Sequence, residues 1–420
     1  MRIAVIGAGV IGITTAYELV SDGHEVTVFD RRATAAEESS FANAGIVAPA
    51  YVAPWATPGM PGKALRHLLG RHAPVRLSWP LGACELTWIW RWYRSCTLEA
   101  YLCNRARLHH LANYSLGRLR HITQDLKLEY ECESGYMVLF RSGSDHSLAQ
   151  PGLQALRDLG VRFAELDAAG ARQIEPALHA NTTLFGAVHL PGAVVANCRQ
   201  FVLMLKSEAT RLGADFVFNT TVEQILTKPV TALRLRGKTE PQSFDQVVVC
   251  AGAESPSVLQ ELGLKLPLVP VYGYALSTKL REPLNGPNSA IMDERYKVSI
   301  SRLGQRIRVA GSAEIGGFAD RVHSGSIETL HKVLQDWFPG AAHPANGLQI
   351  WKGARPMLAD GAPIVGASGR PGIWLNLGHG SSGWALACGS ARALCDLMAG
   401  RQPDIDLSGL GIDRIMVRSA

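Results

Sequence analysis

The first thirty residues constrain the fold more tightly than any other stretch. "RIAVIG" (2–7) is a short, almost wholly apolar run, as in a parallel strand covered on both faces. "GAGVIG" follows with Gly7, Gly9 and Gly12 in G-x-G-x-x-G register. "IGITTAYELVSDGH" then sets Ile13, Ala16, Tyr17 and Val20 on one helical face. Gly23 ends that helix, and "EVTVFD" is a second strand closing on Asp30. One glycine makes the tight turn, one admits a pyrophosphate to the backbone, and one lets helix and strand pack closely. The helix start, with the backbone of Ala8 and Val10 beside it, offers N–H groups and partial positive charge to phosphates. Asp30, next to Arg31, stands where a ribose hydroxyl would donate. Strand, glycines, helix, strand and acid in this order predict a dinucleotide site, with NAD and FAD both open.

The remainder of the chain is long enough for more. Its 420 residues allow two or three domains at roughly 150 residues each. A net charge of +6 with no Lys/Arg-rich block excludes nucleic acid as partner. The eight cysteines have no zinc spacing, so no metal is expected and the thiols read as reduced, mostly buried and intracellular. No leader-like segment or membrane-length apolar run is visible. The expected location is therefore cytoplasmic, or peripheral on the inner face of the plasma membrane.

"SSFANAGIVAPAYVAPWATPGMPG" (39–62) cannot be helical through its prolines, yet it is too apolar for free solvent. It reads as a buried loop against a cofactor, with Asn43, Ala44 and Gly45 near the phosphates. Residues 83–127 read as helical, with no Pro or Gly except Gly117, and carry Trp88, Trp90, Trp92 and Tyr93 with Arg91 and Arg94 among them. A membrane or quinone contact is one account and core aromatics the favoured one. Residues 192–225, a helix over 197–212 joined to a strand (Phe216 to Asn219) with Val222 beyond it as a cofactor contact, and 245–263, a strand ending in Ala251 and Gly252, look like further layers of the first domain. From 265 to 350, "VYGYALSTK", "YKVSISR" and "QRIRVAGSAEIGG" alternate at period two, as in an antiparallel sheet. The predicted fold is α/β. A doubly wound, Rossmann-like domain (1–62, 190–265, 352–420) holds the cofactor, and a mostly antiparallel β substrate domain (63–189, 266–351) covers it.

A second small-residue cluster, "GHGSSG" (378–383), precedes a helix from about Trp384 to Met398. It is no hydrolase elbow, because Ser381 and Ser382 miss the G-x-S-x-G register. With "AVIGAGVIGITTAYEL", "SSFANAGIVAPAYVAPWATPG", "MDERYKVSISRLGQRIRVAGSAEIGGF", "WKGARPMLADGAPIVG" and "NLGHGSSGWALACGSARAL", the chain resembles the D-amino-acid oxidase-like FAD family over nearly its full length. Within that family it is most similar to the bacterial D-amino-acid dehydrogenases. The resemblance implies non-covalent FAD, with the first glycine loop on the ADP half. Gly378, His379, Gly380, Ser381, Ser382 and Gly383 would then reach the flavin edge. It implies Arg355 as the grip on a substrate carboxylate, with Tyr296 beside the substrate and Tyr51 and Tyr274 as weaker candidates. It also implies hydride loss from the Cα of a D-amino acid such as D-alanine, giving a 2-oxo acid and ammonia, with a quinone or other carrier taking the electrons. D-Proline, hydroxyproline, glycine or sarcosine are the alternatives on the same scaffold; a flavoprotein without amine oxidation, of an RNA-modifying kind, is the more distant one.

Overall fold

The computed structural model describes residues 1–62, 72–342 and 347–415. The chain opens as expected, with β1 (Arg2–Ile6), α1 (Val10–Ser21) and β2 (Glu25–Phe29). It then leaves for a first excursion through β3 (Ile46–Val47), β4 (Val75–Ser78), α2 (Ala83–Ser95) and α3 (Leu98–Asp125). The excursion continues with β5 (Cys132–Phe140), α4 (Gly143–Asp158), β6 (Ala164–Asp167), α5 (Ala168–Ile174) and β7 (Gly186–Ala196). The return comprises α6 (Cys198–Arg211), β8 (Asp215–Val217), β9 (Val222–Leu226), β10 (Ala232–Leu235) and β11 (Gln242–Ser243). It ends with β12 (Gln246–Val249) and α7 (Ser255–Gln260). A second excursion holds β13 (Leu268–Lys279), β14 (Ala290–Asp293), β15 (Val298–Leu303), β16 (Arg306–Gly316), α8 (Ser324–Trp337) and β17 (Gln349–Leu358). The chain closes with β18 (Ile364–Ala367), β19 (Ile373–Leu377) and α9 (Gly383–Met398).

Two large sheets result. The first has the order β18-β19-β12-β1-β2-β8, parallel from β19 to β8 with β18 antiparallel at the edge. The second is a ten-stranded mixed sheet running β17-β13-β16-β15-β14-β5-β7-β3, with β4 on β16 and β6 on β7. β7 and β17 belong whole to this second sheet, so the expected segment edges at 190 and 352 cut through strands. The sheets themselves change at 197 and 359. The edge at 62–63 falls at the limit of the described residues.

The mostly apolar strands of the first sheet are buried on both faces, as a parallel sheet requires. Helix α1 is buried nearly all round because it lies between that sheet and the helices α6 and α9. Gly389 brings α9 so close to α3 that a Cβ there would stand 2.9 Å from the Ser115 backbone. The helical stretch over 83–127 is made of two helices, α2 and α3. Thr97 interrupts it with extended backbone, and its hydroxyl accepts a hydrogen bond from Ala100 N at 3.3 Å, capping α3.

A charge cluster ties the three helices together. Glu18, fully buried on α1, accepts two bonds from Arg118 (2.6 and 2.8 Å) and one from Arg392 (2.8 Å). Arg392 also holds Asp22 and Asp396. Burial pushes the Asp22 carboxyl up, but bonds from Arg392 and Arg401 outweigh it and leave its pKa lowered. Its contribution is therefore present above the unfolded carboxyl value near ~3.9 and is lost as pH falls through the lower folded value. Glu18→Ala strands the largely buried Arg118 guanidinium and removes one of the three carboxylates on Arg392. The expected loss is about 3 kcal/mol, visible as a several-degree fall in Tm by calorimetry. An unchanged Tm would show the cluster to be energetically idle.

Candidate functional site

The parallel strands β1, β12 and β19 all end at one edge of the first sheet, where ligands bind in open α/β folds. Gly7, Cys250–Gly252 and Gly378 follow those ends and line one cavity of about 1760 Å³. That exceeds the ~300–1,000 Å³ of ordinary small-molecule sites and has room for a dinucleotide plus substrate. The first glycine loop and the last thus sit on either side of one intervening strand, about 10 Å apart by strand spacing.

At the nucleotide end, Gly7 has φ +106°, and a Cβ there would meet Cys250 O at 2.5 Å. A Cβ on Gly12 would lie 1.8 Å from Gly7 O, so Gly12 sits behind the loop as the packing glycine, outside the cavity wall. Gly9 is the N-cap of α1 with no side-chain cap, and a Cβ there meets only Ser40 Oγ at 3.5 Å. Val10 lines the cavity and donates to Ser40 Oγ at 3.0 Å. Asp30 accepts from Ala8 N (2.6 Å) and Arg32 N (2.8 Å), while burial pushes its carboxyl up. Ala8 is therefore enclosed, a scaffold for Asp30 and not a wall residue. Arg31 pairs with Glu38 and Glu254 at the rim.

Asn43 and Ala44 line the cavity, as do Val222, Ala251 and Gly252, the last at φ +56°. Gly45 does not. It stands at φ +85°, donating to Asn43 Oδ1 at 2.8 Å, and makes the turn that presents Asn43 and Ala44.

At the other end, Gly378 and Gly380 have φ +78° and +58°. Cβ atoms there would strike Leu358 Cδ1 (2.4 Å) and Met357 Sδ (2.7 Å), so the segment lies pressed against the end of β17. His379 bridges to Met357 and its Nε2 meets Ser390 Oγ at 3.1 Å. Burial pulls its pKa down to about 3, so it is a neutral positioning group. Ser381 accepts from Trp55 Nε1 at 3.3 Å. Ser382 and Gly383 line the cavity where the sixteen-residue helix α9 begins without a side-chain cap.

Arg355 lies on β17, two residues before Met357, against which that turn is pressed. Its guanidinium is flat against β13 at Gly273, where a Cβ would come within 2.4–2.7 Å of three guanidinium atoms. Its Nη1 donates to Ser312 O at 2.9 Å, and no carboxylate pairs with it among the described residues. Burial pulls its pKa down to about 10, which still leaves it charged at neutral pH. A desolvated fork with no counter-charge has the charge and the paired donors that a carboxylate would complement.

The tyrosines divide. Tyr51 and Tyr274 line the cavity, but each hydroxyl donates to a carboxylate, Glu294 and Glu314 respectively. Burial raises both phenols, so neither is a free base. Tyr296 is a correction. It sits in the turn before β15 and outside the cavity wall, with Arg141 5.0 Å and Lys332 5.7 Å from its ring centroid. Those cations and the apolar core under α8 hold it away from the cavity. Tyr272, Gly273, Ser312 and Trp55 line the cavity and were not foreseen. A glycine between two tyrosines inside a strand pattern is the signal that could have found the first two.

The cavity residues fit the FAD expected from the sequence. The glycine cradle, a helix start at each end whose N-cap residue supplies no side-chain bond, and buried orphan atoms in the wall (Asn376 Oδ1 and Trp384 Nε1) are what a polar ring and pyrophosphate would complete. Two further expectations change. Trp88 is core, 2% exposed and bonded to Met357 O at 2.9 Å, whereas Trp90 and Tyr93 are 58% and 57% exposed at the cavity mouth. The thiols are free, but Cys84, Cys103 and Cys132 are exposed. Among the described residues, no helix is long and apolar enough to cross a membrane.

A family model described as FAD dependent oxidoreductase matches residues 2–397. A D-amino acid dehydrogenase of Cereibacter sphaeroides is 42% identical over 99% of this chain and 95% of its own length. One of Rhizobium rhizogenes is 38% identical over 99% and 100%. Among solved structures, glycine oxidase from Geobacillus kaustophilus has TM-score 0.78 at 21% identity, covering 98% of this chain and 99% of its own. L-Proline dehydrogenase from P. horikoshii has TM-score 0.74 at 15% identity, covering 98% and 97%. Both share this fold.

Proposed function

Because the chain belongs to the FAD-dependent oxidoreductase family, we propose that it oxidises the Cα–N bond of D-amino acids, small apolar ones such as D-alanine first. The carrying observation is Arg355, a desolvated guanidinium with no counter-charge, beside the glycine turn that ends the nucleotide sheet. The relatives named D-amino acid dehydrogenase support this substrate class. FAD, when bound, supplies the acceptor for the hydride lost from Cα. Arg355 fixes the carboxylate, so that the amine and the Cα–H keep one orientation. With FAD held against residues 378–383, the positive end of α9 would stabilise the negative charge of the reduced ring. His379 stays neutral and adds no competing charge. The resulting imino acid takes up water and releases the 2-oxo acid and ammonia.

Anaerobic addition of D-alanine to the yellow protein should bleach it, and L-alanine should not. Bleaching by L-amino acids equally, or only by glycine, sarcosine or D-proline, would overturn the substrate assignment.

We further propose a membrane quinone as electron acceptor, with the protein peripheral on the inner face of the plasma membrane. Leu86, Trp90 and Tyr93 on α2 and Leu98 at the start of α3 are exposed apolar residues at the cavity mouth, with Arg91 and Arg94 also on α2. Such a rim suits an interface whose outer layer is anionic. Trp90→Ser with Tyr93→Ser should leave turnover with a soluble dye unchanged and reduce quinone turnover on vesicles at least about a hundredfold, from roughly 1.5–3 kcal/mol for each of the two buried rings. Equal loss with both acceptors would contradict it.

A further inference from the structure

Arg355 owes its position to a defect in the neighbouring strand. β13 pairs with β16 in register except at one place, where Tyr272 faces Glu314 and Tyr274 faces Gly311. Gly273 alone therefore stands opposite two residues, Ser312 and Ala313, which is a β-bulge. Ser312 carries it at φ +55°, in the left-handed region that a serine adopts only when its surroundings impose it. The carbonyl turned by that bulge is the one that receives Arg355 Nη1 at 2.9 Å, directly over the glycine on which the guanidinium lies.

The surroundings that impose the bulge can be named. Ala313 N donates to Pro74 O at 2.9 Å, and β4 runs parallel to β16 from that point. Glu314, the next residue, takes a bond from Lys352 Nζ at 2.7 Å and another from the Tyr274 hydroxyl. Lys352 also donates to Phe318 O (2.8 Å) and Arg321 O (2.7 Å), with the Tyr272 ring centroid 4.4 Å from Nζ. The buried Lys352–Glu314 pair thus fastens β17 to β16 on the face opposite Arg355, and its tyrosines flank Gly273.

We propose that Ser312 is a positioning residue for carboxylate recognition, its left-handed backbone aiming the carbonyl that holds Arg355 flat with its remaining donors free for the substrate. This rests on the reading of Arg355 as the carboxylate receptor.

Two variants that both delete the hydroxyl separate backbone from side chain. Glycine adopts φ +55° freely, whereas β-branched valine resists it. Ser312→Gly should bind pyruvate, titrated through the perturbed flavin spectrum, within about threefold of the parent. Ser312→Val should weaken pyruvate at least tenfold and raise KM for D-alanine similarly, with kcat less affected and flavin retained. Should Ser312→Val not fold, Ser312→Thr supplies the β-branched case, weaker than Ser312→Gly by about fivefold. Equal pyruvate affinity in Ser312→Gly and its bulkier counterpart, or equal loss in both, would overturn the proposal. The titration involves no turnover, so a parent that binds pyruvate but ignores D-alanine refutes the substrate assignment and leaves this inference standing.

Discussion

Gly12→Ala is expected to purify colourless. A Cβ at position 12 would stand 1.8 Å from Gly7 O and 2.9 Å from Gly7 C, both backbone atoms with no rotamer to yield. Gly7 cannot retreat, because its own φ of +106° carries it against Cys250 O, where a Cβ would come within 2.5 Å. The start of α1 must then separate from the loop, and the phosphate cradle opens with it. Overpacking of this kind costs about 1–3 kcal/mol in the fold, and the stabilisation conferred by bound FAD is lost in addition. Flavin affinity should fall at least a hundredfold, and the Tm should no longer rise when FAD is added. Gly9→Ala is the control: its Cβ meets only Ser40 Oγ at 3.5 Å, so the apo fold should keep its Tm. Stoichiometric flavin in purified Gly12→Ala would remove the glycine loop from cofactor binding.

The parts of the fold that were legible in the sequence are those specified by short-range chemistry. β1, the glycine turn, α1 and β2 are each set by neighbours within a few residues, and all four stand where expected. The second sheet was visible as period-two alternation, but its edges were not. β7 and β17 look alike in sequence on either side of the expected boundaries, because a strand's pattern records which face is buried and not which sheet it joins. The break at Thr97 was hidden for a similar reason. Its cap is a side-chain bond to Ala100, and the apolar spacing continues across it.

Within the site, residues carried by a turn or a helix start were foreseen, because glycine spacing encodes backbone shape directly. Tyr296 was misplaced because its fate depends on Arg141 and Lys332, which come from β5's end and α8. Ser312 was invisible because a bulge is a relation between two strands; nothing in "RVAGSAEIGG" states which residue β13 leaves opposite a gap. The exposed aromatics on α2 show the limit of composition. Trp88 and Trp90 are two residues apart, yet one reaches Met357 and the other reaches solvent, since the helix has only one face on the sheet.

Arg355→Leu should lose activity while gaining or keeping stability, a combination that ordinary core damage does not produce. The guanidinium is desolvated and its only described partner is the neutral carbonyl of Ser312. A buried charge without a counter-ion opposes folding, so exchanging it for an apolar side chain should leave the Tm unchanged or raise it. The substrate carboxylate loses both Coulomb attraction and the paired N–H donors. Truncating one side of such a contact costs about 2–5 kcal/mol, or roughly 30- to 5,000-fold in kcat/KM. Yellow FAD should be retained, because Arg355 touches the end of the cavity away from the glycine cradle. Arg355→Lys should recover part of the affinity but little of the rate, since a point charge attracts the carboxylate without fixing its plane. Near-parental turnover in Arg355→Leu would assign carboxylate binding to another group.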